Sequence, residues 1–172
     1  MMVHRRWLVG CLALSLLLAS GCQQAGDSIS LAAVTPPPEP APPAIVRGRI
    51  EFVDNYEAGL AQAREQGKPV LLYFTAHACR YCNEMAADAF CQDPVVAVSE
   101  RFVCVLVDTD EQPRLCEQHK VDVLPTLVFL SHDGEALERV TGKQLAHRLV
   151  MEMQAALQSV ARLNDWTPTM VR

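Results

Sequence analysis

Cys79-Arg80-Tyr81-Cys82 is the stretch of this sequence best suited to chemistry. Two cysteines three positions apart at the start of a helix share one face, so their sulfurs can close a small disulfide ring. Cys79 falls in the first turn, where unpaired backbone N–H groups and the helix dipole stabilise a thiolate. The thiolate is the species that attacks a disulfide. Cys82, one turn further in, is more shielded and suits the part of resolving thiol. Arg80 adds a positive charge beside the pair, and His77 stands two residues before it. Both are candidates for tuning the acidity of Cys79. Asn83 follows Cys82, so the Cys-x-x-Cys-His pattern of covalent haem attachment is not met.

A second pair, Cys116-x-x-His119, has the spacing of metal ligands. With Cys79 and Cys82 it makes a nominal Cys₃His set, and a structural zinc module is the alternative function it implies. Against that reading, Cys116 and His119 fall on a later crossover helix, which right-handed connections can place across the sheet from Cys79. A third class is a non-catalytic scaffold or assembly factor. Zinc content of the reduced protein separates the second reading from the first. A Cys82→Ala variant that traps mixed disulfides through Cys79 separates the third.

The elements that must position these residues can be read from periodicity. Arg49 to Val53 is a short strand. Asp54-x-x-Glu57 has the form of a capping box, followed by one apolar face of Tyr56, Leu60 and Ala63 and closed by Gly67. Pro69 to Phe74 is a continuous apolar run, read as a buried central strand that delivers the chain to Cys79. Cys79 to Phe90 reads as a helix with Cys82, Met85, Ala86 and Ala89 on one stripe. Phe102 to Val107 is a second buried strand, and Pro113 opens a short helix through His119. Thr126 to Leu130 is a third strand. Ser131-His132-Asp133-Gly134 is a hairpin turn, and Ala136 to Val140 is the returning strand. A long final helix carries Leu145, Leu149, Met153, Ala156, Leu157 and Val160 on one face. Alternating strands and helices followed by a hairpin predict an α/β fold, with parallel strands and an antiparallel edge.

The chain has 172 residues, 15 Lys plus Arg and 20 Asp plus Glu, a formal charge of -5. That balance gives no electrostatic footprint for nucleic acid. With 50% hydrophobic and 20% charged residues the chain can bury a core, which excludes wholesale disorder. Its seven cysteines are an odd number, so internal pairs cannot use them all. His4, Arg5 and Arg6 precede an apolar run from Trp7 to Leu18 and then Ala19-Ser-Gly-Cys22, the order of an export signal. The run is shorter than the ~20 residues a membrane-spanning helix needs. Leu18-Ala-Ser-Gly-Cys22 resembles the lipobox of bacterial lipoproteins, with Ala19 where that family prefers Leu. The resemblance implies cleavage after residue 21 and lipid attachment at Cys22. Gln23, rather than Asp, next to it implies sorting toward the outer membrane. From 22 to 46 the chain is a tether, with six of the eleven prolines between 36 and 43, a semi-rigid spacer of ~3.1 Å per residue. The folded domain is placed at 47–162 and a tail at 163–172. Cys104 reads as a small buried hydrophobe; Cys91 either pairs with it or stays free.

From about Asn55 to Leu157 the chain resembles the thioredoxin superfamily. Three blocks carry the likeness: Lys68 through Cys82, Phe102 through Asp108, and Val123-Leu-Pro-Thr126, with Gly142 as the glycine before the last helix. The resemblance implies a thioredoxin fold, a central mixed sheet flanked by helices on both faces. It implies a cis peptide at Pro125 and a substrate-docking edge at Leu124, Pro125 and Thr126. The branch most resembled is the exported or membrane-tethered one, including the C-terminal domain of the transmembrane disulfide-reducing relay. Two departures stand out. Tyr73 holds the position of the family's buried acid, and Ala78 that of the tryptophan before the first cysteine. Tyr73 is read as a packing residue with its hydroxyl tied up. The expectation is a monomeric thiol–disulfide oxidoreductase, acting as reductant on protein disulfides at the periplasmic face of the cell envelope. No Gly-x-Gly-x-x-Gly occurs, so no nicotinamide or flavin cofactor is expected and a partner protein must recharge Cys79 and Cys82.

Overall fold

A computed structural model describes residues 44–165. The export segment, Cys22, the tether through residue 43 and residues 166–172 lie outside the described residues. In chain order the elements are β1 (Ala44–Arg47), β2 (Ile50–Val53), α1 (Tyr56–Gln66), β3 (Val70–Thr75), α2 (Arg80–Asp88), α3 (Asp93–Ser99), β4 (Val103–Asp108), α4 (Pro113–Gln118), β5 (Thr126–Leu130), β6 (Ala136–Thr141) and α5 (Ala146–Asp165). A single 3₁₀ turn at Ala89–Cys91 follows α2.

The strands form one mixed sheet in the order β1-β2-β4-β3-β5-β6. β3 runs parallel to β4 and antiparallel to β5, and β6 returns antiparallel along β5. Side chains alternate across each strand, so the central strands feed two cores. Leu71, Tyr73, Cys104, Leu106, Leu127 and Phe129 face the layer of α2, α3 and α5, where Met85, Val95, Leu149 and Met153 close over them. Val70, Leu72, Phe74, Val103, Val105 and Val107 face the other way, against Leu60 and Ala63 of α1 and Leu115 and Cys116 of α4. Both faces are covered, which is why β3 and β4 read as unbroken apolar runs.

Four local expectations need correction. The cap of α1 is Asn55, not Asp54: Asn55 Oδ1 accepts the Ala58 N–H at 2.9 Å. Asn caps as well as Asp, and Asn55 is the extended residue immediately before the first helical turn. Gly67 does end the helix, in the left-handed region at φ 62°. Second, β1 was not anticipated, and it occupies residues assigned to the tether. It pairs antiparallel with β2 through a tight turn at Gly48, whose φ is 62°. A Cβ there would stand 2.4 Å from the Ala86 carbonyl, so glycine lets the hairpin lie against the end of α2. Third, the helix begun at Cys79 tightens to 3₁₀ after Asp88, and α3 follows it. Its Val-rich sequence favours a strand, but Pro94 in the first turn suits a helix start. Fourth, Leu145 precedes α5 and is 65% exposed, while Leu149, Met153 and Ala156 carry the buried stripe.

Three rings fix β3 beneath α2. Tyr73 lies edge-on to Phe90 at 5.0 Å between centroids and tilted to Phe52 at 5.6 Å. Such pairs contribute about 0.5–1.5 kcal/mol each beyond their burial.

Candidate active site

β3 ends at Thr75 and α2 begins at Arg80, so the four-residue loop between them carries Cys79 to the C-terminal edge of the sheet. Cys79 is the N-cap of α2, and its Sγ accepts the Cys82 N–H at 3.2 Å. The sulfur thus takes the place that Ser or Asp usually holds, receiving one of the helix's unpaired donors. Cys79 and Cys82 form a disulfide with a Cα–Cα distance of 5.3 Å. Cys79 is partly exposed, and Cys82 is 1% exposed. One sulfur is reachable by a partner and the other waits behind it. That asymmetry is what attack and resolution require.

Tyr73 lies under the pair. Its hydroxyl donates to the Cys82 carbonyl at 3.0 Å, so it is tied up as expected. Burial pushes its phenol up to about 12, so it stays protonated at any ordinary pH.

The Leu124–Pro125 peptide is cis. Phe74 pairs with Thr126, which sets Pro125 beside the end of β3 where the redox loop departs. Pro125 is buried and its carbonyl accepts the Gly142 N–H at 2.7 Å. Leu124 is half-buried and touches both cores. Thr126 does not present its side chain to a partner: it is 1% exposed and its hydroxyl donates to the Val123 carbonyl at 2.7 Å. Its part is to hold the loop from inside. The exposed apolar side chains within the motif and next to Leu124 are Tyr81 and Val123, each more than half exposed.

Of the two tuning candidates, Arg80 is paired along its own helix and His77 is held through its backbone. Arg80 Nε donates to Glu84 at 2.7 Å, one turn along the helix, which balances its charge. Lys143 reaches Glu84 at 3.0 Å and Asp88 at 3.3 Å, linking α2 to the Gly142 loop. Lys143 first, then Arg80, hold the Glu84 carboxyl below its ordinary value. His77 is exposed, and its backbone N–H donates to Asp110 Oδ2 at 3.2 Å. Asp110 gave no sequence signal, because 33 residues separate it from His77.

The four-ligand zinc set does not assemble. Cys116 packs in the α1/α4 core and Cys82 in the opposite one, so the sheet stands between them. Among the described residues no group of three or more His, Cys, Asp or Glu side chains is placed to hold a metal ion. His119 instead packs against the Phe74 and Tyr56 rings, with its Nε2 3.3 Å from the Tyr56 hydroxyl. Cys91, Cys104 and Cys116 are all free thiols, so Cys91 and Cys104 are not paired. Burial pushes the Cys104 thiol up to about 12 and raises that of Cys116, leaving both protonated and unreactive at neutral pH.

Residues 51–131 match the family described as Thioredoxin-like. A thioredoxin H-type from Oryza sativa subsp. indica is 33% identical over 93 residues, 52% of this chain and 70% of the relative. The chain belongs to the thioredoxin-like family. A thioredoxin-like protein of Synechocystis sp. is also 33% identical, over 51% of this chain and 80% of its own. Among solved structures, a thioredoxin from Thermus thermophilus superposes with a TM-score of 0.60 at 24% identity, covering 69% of this chain and 96% of that one. A structure titled DsbH Oxidoreductase gives 0.53 at 23% identity, over 61% and 83%. At those identities the two structures speak for the fold. The thioredoxin-like family, with a paired Cys79 and Cys82 at a helix start, makes this chain a thiol–disulfide oxidoreductase.

Proposed function

We propose that this oxidoreductase is exported, anchored by lipid on Cys22 and held off the membrane by the proline-rich tether, where it reduces protein disulfides as a monomer. The bacterial envelope is its compartment, with the outer membrane as the favoured anchor. The observation that carries the redox reading is Cys79 at the N-cap of α2, its sulfur on the Cys82 N–H and its partner buried.

The reaction starts from the dithiol. The Cys79 thiolate attacks one sulfur of a substrate disulfide, forming a Cys79–substrate bond and releasing the other substrate sulfur as a thiolate. Cys82 then loses its proton to solvent or to that thiolate and attacks Cys79 Sγ. The Cys79–Cys82 disulfide forms, and the second substrate sulfur leaves. Two electrons have passed to the substrate, and its two thiolates take up two protons, one matching that lost by Cys82 and one from solvent. The chain must then be recharged by the dithiol of a partner protein. Leu124 and Pro125 supply the edge along which an extended substrate segment lies, with Val123 and Tyr81 as apolar contacts.

The test is the reduction potential of the Cys79–Cys82 couple in equilibrium with a reference dithiol. A reductant should fall near thioredoxin's value of about -270 mV. A value in the glutathione range or above overturns the direction. Membrane partition of a Cys22→Ala variant tests the anchor separately: release into the soluble fraction is expected, and unchanged retention contradicts it.

A further inference from the structure

Asp110 is the charged side chain that grips the loop bearing the reactive cysteine. The chain leaves β3 at Thr75, and the Cys79 N–H turns back onto the Ala76 carbonyl at 3.1 Å. Within that turn the His77 N–H points out of the loop, and Asp110 Oδ2 accepts it at 3.2 Å. Asp110 is delivered there by two contacts at the end of β4. Asp108 Oδ1 accepts the Asp110 N–H at 2.9 Å, and the Thr109 N–H donates to the Thr75 carbonyl at 2.8 Å. The second contact fastens the two loops where the parallel strands end, so the carboxylate spans from one to the other.

From this geometry we infer that Asp110 is a positioning residue for Cys79 and that its charge biases the couple toward the disulfide. The inference rests on the oxidoreductase reading above. The bond to His77 fixes the segment that leads into the N-cap, and with it the direction of the Cys79 sulfur. The charge acts on one redox form only. In the dithiol form Cys79 can ionise to the attacking thiolate, which a carboxylate bound to a nearby peptide of the loop disfavours; in the disulfide it cannot. Raising the free energy of the reduced form makes the chain a stronger electron donor.

The other charges near the loop do not cancel this effect. Arg80 is paired with Glu84, and Lys143 is shared between Glu84 and Asp88. Asp108 is engaged with the Asp110 N–H, and His77 is exposed. The helix N-terminus favours the thiolate and Asp110 opposes it, so the balance between them is set by a residue far from the motif in sequence.

Two substitutions divide position from charge. Asp110→Asn keeps an oxygen that can accept the His77 N–H and removes the charge. Asp110→Ala removes both. The full chain, in equilibrium with the reduced and oxidised glutathione pair, should give for Asp110→Asn a shift of about threefold toward the dithiol, or ~15 mV. The shift should shrink at high salt, as it must for an exposed carboxylate. The thiolate ultraviolet absorbance of Cys79 at a fixed pH should rise with it. Asp110→Ala should show the same shift and, in addition, slower exchange. An Asp110→Asn protein with the wild-type equilibrium and thiolate absorbance overturns the charge role. An Asp110→Ala protein that exchanges as fast as Asp110→Asn overturns the positioning role. If the wild-type chain does not exchange with glutathione at all, the oxidoreductase reading fails instead.

Discussion

The Tyr73 hydroxyl donates to the Cys82 carbonyl over 3.0 Å inside the core beneath α2. The bond joins the central strand to the resolving cysteine's own peptide, so the strand fixes the helix that carries both sulfurs. The Tyr73 phenol, pushed up to about 12 by burial, stays protonated, and the proton of Cys82 must leave by another route.

Tyr73→Phe should therefore cost stability and little chemistry. Loss of one buried hydrogen bond is worth about 1 kcal/mol, read from the denaturant midpoint. The dependence of the exchange rate on pH near neutrality should match wild type. A new inflection in that profile would show that Tyr73 takes part in proton transfer.

Alkaline pH should unfold the domain by a definable route. Burial pushes the Tyr73 phenol and the Cys104 thiol each up to about 12. In the unfolded chain they ionise near their ordinary values of 10.0 and 9.0 respectively. Between those values and the folded ones the unfolded chain has lost a proton that the native chain keeps. The stabilisation is complete below the unfolded values and is lost as pH rises toward 12. The Tyr73 part is about 2–3 kcal/mol. Cys104→Ala should flatten the part of the decline that begins near pH 9, measured by urea denaturation across the alkaline range. An unchanged slope would mean that Cys104 is not the group titrating.

Cys116→Ser and His119→Asn should leave disulfide exchange at the wild-type rate, since both side chains lie across the sheet from Cys79. The reduced protein should hold no stoichiometric zinc by metal analysis. One tightly held zinc per chain, lost in either variant, would contradict the placement of α4.

Glu84→Gln should leave Arg80 without its partner. Its positive charge then acts on Cys79, and the exchange rate at fixed pH should rise by no more than about twofold, because exposed charges are screened. A fall in rate would mean that Glu84 matters by holding α2 in place through Lys143.

Much of this site was legible because its signals are local. The Cys79 to Cys82 spacing, the apolar run before it and the Leu124-Pro125 dipeptide each lie within a few residues, and the structure joins them through the pairing of Phe74 with Thr126. Gly67 likewise reads as a helix stop from its own conformational freedom. What was missed depends on contacts distant in sequence. β1 has four residues beside a proline-rich run, and it forms because β2 gives it a partner and Gly48 lets the turn sit on Ala86. The Val-rich α3 is a helix because the α2/α3/α5 layer buries Val95, overriding its propensity. Thr126 was expected to face substrate, but a strand-start position puts its side chain inward. Asp110 reaches His77 only because β3 and β4 run parallel and end side by side.

The most direct test of the central claim is to trap the mixed disulfide. Cys82→Ala should accumulate intermolecular disulfides with a disulfide-containing protein substrate, joined through Cys79 by mass spectrometry and released by dithiothreitol. Cys79→Ala should trap none through Cys82, because that sulfur is buried. Equal trapping by Cys79→Ala, or none by Cys82→Ala, would contradict the assignment of Cys79 as the attacking thiol.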